Sequence, residues 1–119
     1  MKTFTDLKAW QVGMDLVEEV FGLSCKFPKS ELYGLTQQIR RSSMSVVSNI
    51  AEGFGRYTYP DKANRYTIAR GECTEVLTQI IVAARLKFIT EKEAERALQL
   101  SNEVGRMLSG LITSCKNRS

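Results

Sequence analysis

From Leu35 to Phe54 the chain places Leu35, Ile39, Ser42 or Ser43, Val46, Ile50 and Phe54 at spacings of three and four, which lays them along one face of a helix and commits that face to burial. Ser42, Ser43, Ser45, Ser48 and Ala51 are short enough to let a second helix backbone come close, although such residues also make an ordinary thin helix surface. Gly53 and Gly55 can take positive φ, so the helix is expected to end near Glu52 with a glycine cap, and Glu52 with Arg56 would be a weak surface pair if it ran on. Arg40 and Arg41 are adjacent and diverge by about 100° around the helix. At most one of them can point straight away from the apolar face; the other lies beside the core, where it snorkels to water or meets a carboxylate. Asn49, just before Ile50, fits a hydrogen-bonded polar group at a helix contact.

The rest of the chain repeats this periodicity with clear punctuation. Thr5 and Asp6 offer a start for a first helix with a seam of Leu7, Trp10, Met14, Val17 and Phe21, which Leu16, Val20 and Leu23 widen. Trp10 reads as the largest buried side chain of that seam, its other use being a platform for a base. Phe27-Pro28 ends the helix, because the residue before proline is driven out of the α region. Lys29 to Gly34 is a connection short enough for antiparallel neighbours, with Ser30 as a candidate cap. Thr58 or Tyr59, with Pro60 in the first turn, opens a third helix reaching about Lys87, with Tyr66, Ala69, Cys73, Val76 or Leu77, Ile80 and Ala84 inside. Thr90 and Glu93 form a T-x-x-E capping box flanked by Ile89 and Ala94, which starts a fourth helix striped by Ala97, Leu98, Ser101, Val104, Met107 or Leu108, Leu111 and Ile112. Gly105 and Gly110 weaken it by roughly 1 kcal/mol each unless another helix packs closely there, and Lys116 to Ser119 should fray. The expected fold is all-α: one domain over residues 1–119, an up-and-down antiparallel four-helix bundle with helices at roughly 5–26, 32–53, 60–87 and 90–115.

Ile80-Ile81-Val82-Ala83-Ala84 is apolar on every side for more than a turn, whereas each helix of an isolated bundle keeps a wet side. A second burial surface is therefore expected, namely a contact between subunits, with Val47, Ile81 and Val82 as its candidate residues.

Phe27-Pro28, Tyr33-Gly34-Leu35, Gln38-Ile39-Arg40-Arg41, Asn49-Ile50-Ala51-Glu52-Gly53 and Gly55-Arg56, with the Trp10 segment upstream, together resemble the bacterial four-helix-bundle family typified by proteins encoded in intervening sequences of 23S ribosomal RNA genes. The likeness covers nearly the whole chain. It implies a bundle assembled as a ring, usually a homopentamer, most members having no established activity. It also implies a nucleic-acid partner, since a related accessory protein of diversity-generating retroelements is basic and works with RNA and a reverse transcriptase. The alanines that usually follow the paired arginines are Ser42 and Ser43 here, a change of polarity more than of size.

The net charge of +4 has a location: Tyr33 to Gly71 holds six basic residues (Arg40, Arg41, Arg56, Lys62, Arg65 and Arg70) against Glu52 and Asp61, and the remainder is neutral. This stretch reads either as a phosphate-facing patch or as a solvated face. As a patch, Arg40, Arg41, Arg56, Lys62 and Arg65 would contact RNA or DNA backbone, with Tyr57 and Tyr59 available to stack on bases. Gly53-Phe54-Gly55-Arg56 before a helix start could cradle a phosphate, yet matches no nucleotide-binding pattern and reads first as a cap and loop.

With no histidine the chain has no di-iron Glu-x-x-His pair, catalytic triad or histidine base. Glu72 and Glu75 with Glu52 are a conceivable cation cluster, more simply solvated carboxylates paired with a base such as Arg70. Cys25, Cys73 and Cys115 are odd in number, widely spaced and without a CxxC, which indicates idle reduced thiols rather than a disulfide framework or zinc site. No apolar run reaches the roughly 18 residues of a spanning helix. The N-terminus lacks a signal-peptide core, so a cytoplasmic protein is expected. The sequence thus points to a non-enzymatic homo-oligomer without cofactor or metal that binds RNA or DNA. The alternatives are a structural or adaptor ring for another protein and an enzyme with a nucleotide or metal site between subunits, built on Arg40, Arg41 and Asn49.

Overall fold

The computed structural model describes residues 2–119, which form four α-helices and no strand. They are α1 (Lys8–Ser24), α2 (Leu35–Gly55), α3 (Tyr59–Arg85) and α4 (Glu91–Arg118). Each helix packs against two neighbours in the cyclic order α1, α2, α3, α4, so α1 lies diagonal to α3 and α2 to α4. The molecule measures 46 × 23 × 20 Å, its length set by α3 and α4.

Caps fix the ends. Thr58 Oγ1 accepts from the Asp61 N–H at 3.2 Å with Pro60 in the first turn of α3, and the Thr90–Glu93 box closes reciprocally at 3.0 and 2.8 Å to start α4. The start of the chain differs from the sequence expectation: Thr3 and Asp6 make a box around a single 3-10 turn, Phe4–Asp6, and α1 begins only at Lys8. Ahead of α2 the first-turn acceptor is Glu31 rather than Ser30, its Oε1 taking the Leu35 N–H at 3.1 Å.

Two expectations about faces and ends are corrected. In α1 the side chains buried in the core are Ala9, Val12, Leu16, Val20 and Leu23, while Trp10, Met14, Val17 and Phe21 are only half buried, so the true seam lies one residue around the helix. In α2 the helix runs past Glu52 to Gly55, and neither Gly53 nor Gly55 has positive φ. Gly53 serves close approach instead: a Cβ there would lie 2.6 Å from Tyr66 Cε1 on α3. Gly13 plays the same part between α1 and α2, with Val47 Cγ1 2.8 Å from where its Cβ would be.

The core is a continuous cluster in which Leu16, Val20, Val46, Ile50, Val76, Ile80, Val104 and Leu108 are wholly buried. At the end holding the α1–α2 and α3–α4 connections, Phe27 packs on Phe88 with ring centroids 5.9 Å apart, and Lys26 pairs with Glu93. No helix among the described residues is long and apolar enough to cross a membrane.

Candidate nucleic-acid interface

The adjacent arginines of α2 part company, as their 100° separation demands. Arg40 lies half buried beside the core, Nε donating to Ser24 Oγ at 2.7 Å and the guanidinium 5.0 Å from the centre of the Phe21 ring, so a hydroxyl and a π face receive it rather than a carboxylate. Arg41 is exposed. It lines a polar cleft of about 430 Å³ between α2 and α3 with Glu72, Glu75 and Gln79, where Ser42 Oγ donates to Glu75 at 3.3 Å.

At the far end of α2, two more of the basic candidates are engaged within the chain. Lys62 Nζ reaches back to the terminal carbonyls of α2, donating to Phe54 O at 2.6 Å, and lies 5.5 Å from the Phe54 ring centre. A cation at the negative end of a helix neutralises orphan carbonyls, so Lys62 works as a cap. Arg65 pairs with Glu52 at 2.9 Å and donates to Asn49 Oδ1 at 3.4 Å, while Asn49 Nδ2 donates to Ser45 O at 2.9 Å. Glu52 therefore meets Arg65 across the α2–α3 contact, not Arg56 along α2, and does not line the cleft that holds Glu72 and Glu75. Among the described residues no group of three or more Asp, Glu, His or Cys side chains is arranged to hold a metal ion.

Arg56 and Tyr57 have no partner among the described side chains and face solvent, Tyr57 completely. Two residues on, Tyr59 is exposed but is met from the far terminus. α4 continues to Arg118 instead of fraying after Cys115, and brings that guanidinium 5.7 Å from the Tyr59 ring centre, with Nη1 donating to the hydroxyl at 3.4 Å. The hydrogen bond to Tyr59 holds the Arg118 pKa above its ordinary value, and the cation stays charged. One end of the bundle thus groups Arg56, Tyr57, Tyr59 and Arg118, with Lys116 exposed on the same last turns of α4. Arg118 and Lys116 were missed because they are remote in sequence from the basic stretch. The spacing of Leu108, Ile112 and Cys115, all buried, is the signal that the helix continues to them.

The three interface candidates separate as well. Val47 is 9% exposed and packed inward against α1 at Gly13, so it belongs to the intrachain contact, whereas Ile81 and Val82 are 45% and 39% exposed. In the apolar run of α3, Ile80 and Ala83 fill the core and leave those two outside.

With this geometry in place, a family model described as 23S rRNA-intervening sequence protein matches residues 5–110. The chain belongs to this family. It is similar to a crystal structure of a protein with unknown function from the S23 ribosomal protein family of Bacteroides thetaiotaomicron VPI-5482. The TM-score is 0.81 at 22% identity, over 87% of this chain and 97% of that one. No curated protein matches. The likeness establishes the four-helix fold and leaves the family's function open.

Proposed function

We propose that this chain is a non-enzymatic, cytoplasmic helical protein that assembles with copies of itself, as a pentameric ring on the family resemblance, and binds RNA or DNA backbone through the end of its bundle. The observation that carries the reading is the pairing of an exposed cation, Arg56, with a fully exposed aromatic ring, Tyr57, neither held by any other described side chain. Phosphates are met by such cations, and a base stacks on such a ring irrespective of sequence. Tyr59 with Arg118, and Lys116, extend the surface, while Arg41 adds a separate positive point on the flank. Arg40, Lys62 and Arg65 act in the fold in this reading, so the working surface is smaller than the basic stretch of sequence.

Fluorescence anisotropy with a structured RNA and a duplex DNA at two salt concentrations tests it, with light scattering on the same sample. Salt-sensitive binding by a defined oligomer is expected. Arg56→Ala with Arg118→Ala should lower the slope of log K against log salt by about 1.4–1.8, since each lost phosphate contact removes roughly 0.7–0.9. Tyr57→Ala should weaken binding by about 1–3 kcal/mol with little change of slope. An absence of binding at low salt would overturn the nucleic-acid reading in favour of a protein adaptor, which the exposed Ile81 and Val82 suit.

A further inference from the structure

Midway along α3 and α4, a groove of about 370 Å³ between the two helices is lined by two arginines and by no carboxylate. Arg70 of α3 reaches across it, its Nη1 donating to Ser109 Oγ at 3.3 Å, so the guanidinium is held over α4. Arg106 rises from α4 three residues before Ser109 and therefore on the same face of that helix. Gly105 lies between them in the lining. No neighbour comes within 4 Å of where a Cβ on it would be, so this glycine leaves the floor of the groove open and receives no other helix.

Neither arginine has a counterion within the chain, since the ion pairs among the described residues are Lys26–Glu93 and Arg65–Glu52. The neighbouring clefts differ: Glu72 and Glu75 line the one beside Arg41, and Glu91 and Glu95 the one at the start of α4. The free polar groups of this groove are donors. Arg106 and the Asn102 amide make no hydrogen bond to another described residue, and the Ser109 hydroxyl, which accepts from Arg70, keeps its own proton to donate. The other two hydroxyls are spent on their own helices, Thr74 on Arg70 O and Ser101 on Ala97 O. Planar guanidiniums grip the oxygens of a phosphate in pairs. Two of them without a carboxylate are balanced by a dianion. A phosphate monoester carries close to two negative charges at neutral pH, whereas each phosphodiester of a nucleic-acid backbone carries one.

We propose that this groove binds a small phosphate monoester. Arg70 and Arg106 hold its phosphate together with Asn102 and Ser109, and its organic part lies over the open floor at Gly105 toward Leu77, in a space at the lower end of what small-ligand sites occupy. The site is separate from the end of the bundle assigned to nucleic acid, because Arg70 is eleven residues, about 16 Å, along α3 from Tyr59. It stands whether or not that end binds RNA or DNA.

Titration of the full chain with phenyl phosphate at neutral pH, followed through the phosphorus NMR line of the ligand, tests it. Saturable broadening is expected with the wild-type chain. Arg106→Gln removes one cation, and Gly105→Glu sets a carboxylate between the two arginines while leaving both in place. Each should weaken binding about tenfold or more. Circular dichroism checks the fold, and Arg70→Gln replaces Gly105→Glu if that variant loses helix. The methyl ester of the probe, a monoanion of the same shape, should bind about tenfold more weakly. An oligonucleotide without a terminal phosphate should leave the broadening in place. An absence of saturable broadening, or affinity retained in Arg106→Gln, overturns the site. Displacement by the diester or the oligonucleotide as readily as by phenyl phosphate itself overturns the monoester assignment and gives the groove to backbone phosphate.

Discussion

Gly53 lies so close beneath the ring of Tyr66 that a Cβ on it would fall 2.6 Å from Cε1 and 2.8 Å from Cδ1, closer than real side chains approach one another. Tyr66 is itself 3% exposed, so the ring cannot swing into water, and α2 and α3 must part if the glycine grows. Gly53→Ala should therefore destabilise the fold by about 1–3 kcal/mol, although alanine is the better helix former. Gly71 and Gly110 have no neighbour within 4 Å of a Cβ, and alanine there should stabilise by about 0.5–1 kcal/mol. Urea unfolding of the three variants reads both signs in one experiment.

Glu93 holds the two connections at one end of the bundle together and reports on them through pH. Its carboxylate takes a hydrogen bond from Lys26 and a second from the Thr90 N–H, which lower its pKa below the ordinary glutamate value. A carboxyl whose folded pKa is depressed adds stability that is present above its unfolded pKa, about 4.3, and is lost as pH falls through the folded value. Glu93→Gln should accordingly lower Tm at neutral pH, and the gap to wild type should close as the pH drops below that range. A gap that persists unchanged into acid would assign the effect to the cap's shape rather than its charge.

The caps of α3 and α4, at Thr58 and Thr90, were legible in the sequence because their chemistry is local. A threonine with glutamate three residues on, or a threonine two residues before a proline, satisfies orphan N–H groups whatever lies elsewhere in the chain. What could not be read were choices made by partners. The two apolar stripes of α1, Ala9-Val12-Leu16-Val20-Leu23 and Trp10-Met14-Val17-Phe21, both keep the three-and-four spacing, and only the positions of α2 and α4 decide which goes in. Gly53 can serve positive φ or close approach, and Tyr66, thirteen residues away, selects the second. The basic stretch suffered most: charge counting put Lys62 and Arg65 with Arg56, whereas a helix end and Glu52 claim the first two. Arg118 joined the surface from the other terminus.

The three cysteines should divide by accessibility. Cys25 is exposed, while Cys73 and Cys115 are 3% and 6% exposed, and burial pushes the Cys73 pKa up to about 12, leaving almost no thiolate at neutral pH. A thiol reagent should modify one cysteine per chain quickly under native conditions and all three in denaturant. Mass mapping should place the fast adduct on Cys25, and fast labelling of Cys73 would show that α3 and α4 separate in the native state.

Lys87 holds a conformation that its side chain disfavours, with φ of 64°, the single non-glycine residue at positive φ among those described. The reason is the end of α3. The Phe88 N–H donates to Ala83 O at 2.9 Å and the Lys87 N–H to Ala84 O at 3.0 Å, the paired bonds that close a helix through a left-handed residue and turn the chain toward α4. Glycine usually fills that position because it has no Cβ to clash with the carbonyl, a cost of about 1–2 kcal/mol for other residues. Phe88, anchored on Phe27, keeps the turn in place and makes lysine bear that cost. Lys87→Gly should thus raise stability by about 0.5–1 kcal/mol, the relief of strain being partly offset by the greater freedom of glycine in the unfolded chain. Lys87→Ala, which removes the charge but keeps the Cβ, should leave stability near wild type. A stabilised alanine variant in the same thermal melts would instead trace the effect to repulsion from Arg85 close by.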